Sequence, residues 1–368
     1  MKRLPSLQIG QHTAPRPIIQ GGMGIRISGA NLAAAVANAG GIGIISAVGL
    51  GFSSPYFDPT TPNKAERRQQ FFEANRLALI DALKQARSLS PTGIIGINSM
   101  VAARDHATLV RTAAEHGANL IICGAGLPLD LPAHTADYPK VALVPIVSSV
   151  RAARLICRKW ERQFGRRPDG FVVEDPRTAG GHLGAKAEEF QDPAYNDLEQ
   201  VVAGLVRYVQ DDLDGSIPVI AAGGIWERAD IDRMLALGAS GVQIGTRFIT
   251  THECDADLRY KEFHLQSQPE DVVLVNSPVG MPGRALRNSF LERTATQAIG
   301  PTGACLNCLQ VCKFRDRQET FCILQALDRA AHGDIENGLV FSGSNAGRVR
   351  HLVHVADLMT ELTGAELN

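Results

Sequence analysis

The residues of this chain that can do chemistry sit in three glycine-closed segments and one cysteine cluster. The segments are Thr178-Ala-Gly-Gly-His-Leu-Gly184, Ile217-Pro-Val-Ile-Ala-Ala-Gly-Gly-Ile225 and Gly241-Val-Gln-Ile-Gly-Thr-Arg-Phe248. Glycines at the end of an apolar run let backbone N–H groups approach an anion, and such a turn after a parallel strand faces the N-terminus of the next helix. The pattern reads as a phosphorylated cofactor beside a titratable imidazole, His182. With an ordinary pKa near neutrality, an imidazole suits orienting an anionic substrate or moving a proton. The plainer alternatives are a histidine that only hydrogen-bonds loop carbonyls and, for Gly223-Gly224, an ordinary tight turn.

Cys305, Cys308, Cys312 and Cys322 follow the spacing C-x2-C-x3-C-x9-C. Four thiolates suit a [4Fe–4S] cluster or a structural zinc, and buried thiols without metal are the alternative. Cys123, Cys157 and Cys254 are isolated and read as packing residues. An odd total of seven cysteines argues against a secreted disulfide framework.

The elements that must position these groups are legible as an alternation. Eight short apolar runs can be counted: Pro17–Met23, Gly41–Ser46, Ile94–Asn98, Leu120–Gly124, Val141–Val147, Gly170–Glu174, Ile217–Ala221 and Gly241–Gly245. Between them lie helix candidates at Asn31–Ala39, Lys64–Ser88, Asp105–His116, Ser149–Phe164, Leu198–Asp211 and Trp226–Leu237. Near-continuous apolar strands imply a buried parallel sheet, and eight βα repeats in this length fit an α/β (β/α)8 TIM barrel better than a doubly wound open sheet. The expected division is a barrel over residues 1–250 and, packed on it, a C-terminal extension over 251–368 that carries the cysteines. The loop Gly49–Asn63 is expected to cover the catalytic face.

The 368 residues include 37 basic and 38 acidic side chains, a net charge of −1, with no long basic block. That excludes an electrostatic nucleic-acid or membrane-surface partner and leaves small molecules. The start, Met1-Lys-Arg-Leu-Pro5, lacks the apolar segment of a secretory signal, and no run approaches the roughly twenty apolar residues of a membrane span. A cytoplasmic protein is expected, with the extension offering surface for a homodimer.

Four motifs, Pro17-Ile-Ile-Gln-Gly-Gly-Met-Gly24, Ala179-Gly-Gly-His-Leu-Gly184, Ala221-Ala-Gly-Gly-Ile225 and Gly245-Thr-Arg-Phe248, occur in an order and at separations that resemble the nitronate monooxygenase family. These flavoenzymes were formerly called 2-nitropropane dioxygenases, and the family includes FMN-dependent enoyl-ACP reductases. The resemblance implies FMN at the C-terminal mouth of the barrel. Gly22 and Met23 then correspond to the backbone against the isoalloxazine ring, and Asn98 to a polar contact to the flavin. Gly180 and Gly181 let the cofactor pass, and Gly223, Gly224, Gly245 and Thr246 form the phosphate cup. His182 lies beside the flavin and carries chemistry. Phe341-Ser-Gly-Ser-Asn345 resembles a segment folding back over the pocket, so that Ser344 or Asn345 touches substrate or flavin, unless they cap the last helix. The cysteine spacing is similar to that of some iron–sulfur flavoenzymes that reduce dienoyl-CoA, although their last gap is longer. Glu174-Asp-Pro-Arg-Thr178 departs from the usual pattern, with Arg177 facing either pocket or solvent.

Three functions remain in view. One is oxidation of alkyl nitronates with O2 to carbonyl compounds and nitrite. Another is NAD(P)H-dependent reduction of an enoyl thioester or quinone, although no G-x-G-x-x-G unit is evident. The last is a non-enzymatic flavin protein with a cysteine sensor, which leaves His182 without a use.

Overall fold

The computed structural model describes residues 3–192 and 194–364. The outermost residues of the expected barrel and extension spans, 1–2 and 365–368, lie outside the described residues. Eight strands close into a parallel barrel: β3 (Ile18–Gln20), β4 (Ile42–Ser46), β5 (Ile94–Met100), β6 (Leu120–Gly124), β7 (Ala142–Val147), β8 (Phe171–Glu174), β10 (Val219–Ala222) and β11 (Gly241–Ile244). Neighbours follow chain order, and β11 returns to β3 with Val242 opposite Ile18 and Ile244 opposite Gln20. The (β/α)8 barrel expected from the alternation is therefore the fold.

The helices lie where the apolar periodicity puts them. Helix Lys64–Leu89 begins at Asn63, whose side chain accepts the N–H groups of Ala65 and Glu66, a cap worth about 1 kcal/mol. Helix Val150–Phe164 begins at Ser149 and ends at Gly165 in the left-handed region (φ 60°). Its buried residues Ala153, Ile156, Cys157 and Trp160 fall at helical spacing and turn one stripe to the barrel wall.

Two features are not legible from local sequence. A hairpin of β1 (Leu7–Ile9) and β2 (His12–Ala14) plugs the end of the barrel where the strands begin. There Leu7, Ile9 and Ala14 join one core with Ile19, Ile44, Ile122 and Val172 from inside the barrel. At the other end, β12 (Val272–Asn276) and β13 (Pro282–Leu286) form an antiparallel pair that recruits β9 (Gly181–His182) as a third strand. The C-terminal extension thus reaches back to hold the loop that carries His182. Among the described residues no helix is long and apolar enough to cross a membrane.

Candidate functional site

With the hairpin plugging one end, the other end of the barrel opens into a cavity of about 380 Å3. That volume is in the range of small-molecule and cofactor sites, and its position beyond the carboxyl ends of the strands is where barrel enzymes place their chemistry. Every expected cofactor, catalytic and substrate residue other than the cysteines lines its wall: Gly22, Met23, Asn98, Gly180, Gly181, His182, Gly223, Gly224, Gly245 and Thr246, together with the Ser344-Asn345 pair.

The wall is shaped by close backbone approaches. A Cβ on Gly22 would stand 2.2 Å from Cβ of Asn98, so only glycine lets the β3 exit pass the end of β5. At the β10 exit, Gly223 and Gly224 take φ values of 96° and 73°, and a Cβ on Gly223 would meet Thr178 Oγ1 at 2.9 Å. That left-handed pair aims the turn into the cavity instead of starting a helix at once. Thr246 Oγ1 accepts the N–H of Gly343 at 3.1 Å, which leaves its own hydroxyl proton available.

Three polar atoms of this wall, Thr178 Oγ1, Gln243 Oε1 and Ser342 Oγ, are buried without a hydrogen-bond partner among the described residues. An unpaired buried polar atom costs about 1–3 kcal/mol, so three on one cavity mark a place built for a polar ligand. A phosphorylated, ring-bearing cofactor fits these residues: donors and glycine turns at the β10 and β11 exits, a flat glycine-lined approach at β3. Sequence reasoning missed Gln243, Thr178 and Ser342 because nothing in their spacing separates them from strand and turn residues.

His182 is fixed from three sides. Its strand pairs with β13, Gly283 opposite His182 and Arg284 opposite Gly181. Phe341 packs edge-on to the imidazole at 5.1 Å. Nε2 lies 2.8 Å from Oγ of Ser277, a fully buried serine. Ser277 Oγ also accepts the N–H of Val279 at 3.3 Å and keeps its hydroxyl proton to donate to Nε2, an arrangement in which the imidazole proton sits on Nδ1. Loss of hydration lowers the imidazole to about 4, so it is neutral at pH 7. The near-neutral pKa expected from residue type is corrected by burial.

Glu174, at the end of β8, also lines the cavity. Burial raises its carboxyl to about 7, against a lowering pull from Arg284, while Asp175 adds to the rise. A group titrating near neutrality in a cleft is a candidate for proton work. In the sequence it is one residue of an atypical loop, with no signal of its own. Arg284 itself is buried and donates to the carbonyl of Ala179. Arg177 pairs with Asp175 at 3.4 Å and is not part of the cavity wall.

The segment Phe341–Asn345 does run across the cavity. Ser344 N–H donates to Thr178 O at 3.0 Å, and the Asn345 side-chain amide donates to Gly224 O at 3.0 Å. Asn345 therefore ties this segment to the β10 turn. The loop Gly49–Asn63 departs from expectation: none of its residues lines the cavity. Phe52 and Phe57 pack instead with Phe71 and cover the cysteine segment, where the three rings join one apolar cluster.

The four clustered cysteines are all free. Among the described residues no three His, Cys, Asp or Glu side chains are grouped so as to hold a metal ion. The geometry thus marks out no metal centre there, and the expectation of a [4Fe–4S] cluster or a structural zinc is not shown by it.

A family model for nitronate monooxygenase matches residues 6–365. A probable nitronate monooxygenase of Staphylococcus saprophyticus subsp. saprophyticus is 35% identical over 125 residues, 33% of this chain and 33% of that protein. The match thus spans about a third of the length of that relative. A (3aS,4S,5R,7aS)-5-hydroxy-7a-methyl-1-oxo-octahydro-1H-indene-4-carboxyl-CoA dehydrogenase of Mycobacterium tuberculosis is 26% identical over 277 residues, 75% of this chain and 64% of that protein. Among solved structures, FabK of Thermotoga maritima superposes with a TM-score of 0.68 at 25% identity, covering 97% of this chain and 92% of that one. A nitroalkane oxidase of Streptomyces ansochromogenes has the same fold, with a TM-score of 0.68 at 21% identity and 96% of each chain covered. With the barrel, the cavity at its mouth and a family match over nearly the whole length in agreement, this chain belongs to the nitronate monooxygenase family.

Proposed function

We propose that the chain is an FMN-dependent oxidoreductase that oxidises alkyl nitronates with O2 to carbonyl compounds and nitrite. The observation that carries the reading is the cavity wall: glycine turns at the β3, β10 and β11 exits, three unpaired polar atoms, and His182 held on a strand. Bound there, FMN would supply the redox chemistry, taking electrons from the substrate and delivering them to oxygen.

The chain's own residues do the rest. The Gly223-Gly224 turn and Gly245-Thr246 hold the phosphate, Thr246 donating through its free hydroxyl proton. The neutral imidazole of His182, with Ser277 donating to Nε2, donates from Nδ1 to the anionic nitronate oxygens. Being neutral, it binds an anion by a directed hydrogen bond and adds no charge of its own. Glu174, half-protonated near pH 7, holds or releases a proton at its carboxyl. Ile146, Met281, Leu327 and Phe341 line the remaining wall and exclude water. Residues 1–250 form the cofactor-binding barrel in this reading, and 251–368 the extension that completes the site.

The test is direct: protein purified with its flavin is supplied with an alkyl nitronate, and oxygen uptake and nitrite are followed. Nitrite formed with oxygen uptake supports the reading; neither would refute it. A second reading, NAD(P)H-dependent reduction of an enoyl thioester or quinone, is favoured by the likeness to FabK over 97% of this chain and to a CoA-ester dehydrogenase over 75%.

A further inference from the structure

The clustered cysteines take no part in the chemistry proposed above, yet Cys305, Cys308, Cys312 and Cys322 all line one second cavity, of about 80 Å3. Long-range hydrogen bonds build it. Cys308 O accepts the N–H of Arg104 at 3.0 Å, and Leu309 bridges to Ala103 just past β5. Cys322 N–H donates to Ile299 O at 2.9 Å, bringing the fourth cysteine to the other three.

Two of the sulfurs accept backbone hydrogen bonds. Asn307, in the left-handed region at φ 57°, turns its N–H onto Cys305 Sγ at 3.4 Å, and Arg315 N–H donates to Cys312 Sγ at 3.5 Å. The guanidinium side chains of Arg67 and Arg315 belong to the same wall.

The space the four cysteines line is several times the about 10–15 Å3 that one water needs. A single metal ion does not account for the arrangement. Such an ion draws thiolates together to about 2.3 Å from one centre, and among the described residues no three side chains of the right kind are so grouped. Four thiols lining one cavity suit a polynuclear group, in which each metal takes one cysteine. We propose that Cys305, Cys308, Cys312 and Cys322 are the ligands of a [4Fe–4S] cluster. Helix Ile323–Ala331 presents Leu324 to this cavity and Leu327 to the first one. The cluster therefore lies about one helical turn from the wall of the first cavity. The proposal is independent of which substrate that cavity takes.

The full-length protein, purified without air and with its flavin, should contain about four iron and four acid-labile sulfide per chain, and show an electron paramagnetic resonance signal after dithionite reduction. Cys308→Ser and Cys312→Ser should lose most of the iron, while Cys157→Ser, outside the cavity wall, should keep it. About one zinc per chain without sulfide, or protein with neither metal, would overturn the proposal. Because the wild-type stoichiometry decides by itself, a serine variant that fails to fold does not blunt the test.

Discussion

His182 can be singled out in the sequence because glycines flank it and no apolar periodicity claims it; its partner cannot. Ser277 lies 95 residues away, and only the pairing of β9 with β13 brings the hydroxyl to Nε2. Replacing His182 with alanine should leave flavin bound and slow its anaerobic reduction by substrate by about 10²–10⁴-fold. Stopped-flow absorbance checks this, and unchanged rates would remove His182 from the mechanism. Ser277→Ala should lower kcat more than it raises KM, since it frees the imidazole tautomer without removing the ring. Glu174 carries the pH dependence. Its carboxyl, raised to about 7, is protonated in the folded chain while the unfolded chain ionises near 4.5. Its contribution to stability is full below the unfolded value and is lost as pH rises through about 7. The melting temperature of Glu174→Gln relative to wild type should therefore rise between pH 5 and pH 8, and a constant difference would contradict the assignment.

Elements built from local signals are legible in the sequence: strand Leu120–Gly124 coincides with its apolar run, and helix Val150–Phe164 lies where its serine cap and closing glycine put it. Elements made by distant partners are not. β9 is two residues long and exists only because β13 pairs with it, and the loop after β4 covers the cysteine cavity instead of the barrel mouth because its aromatic residues find Phe71. The same geometry makes the β3 exit intolerant of change. Gly22→Ala forces a Cβ to within 2.2 Å of Asn98, so the two segments must part. We expect a loss of about 1–3 kcal/mol in stability together with weakened flavin retention, measured by thermal melting and by flavin absorbance after dialysis. Full retention with an unchanged melting point would show that the close approach is not needed.

At the scale of the whole molecule, the barrel and its C-terminal extension make one site. The strands supply the floor and the glycine turns, whereas Ser277, β13 and Phe341–Asn345 supply the wall that holds His182 and closes the mouth. A protein cut after residue 250 should therefore fail to retain FMN even if its barrel forms. In the proposed function this assembled site oxidises nitronates through its flavin. The most direct measurement is anaerobic mixing of the flavin-loaded protein, separately, with an alkyl nitronate, NADH and NADPH while the oxidised-flavin absorbance is followed. Rapid bleaching by the nitronate is the predicted result; bleaching by NADH or NADPH with the nitronate inert would contradict the claim and make the protein a reductase.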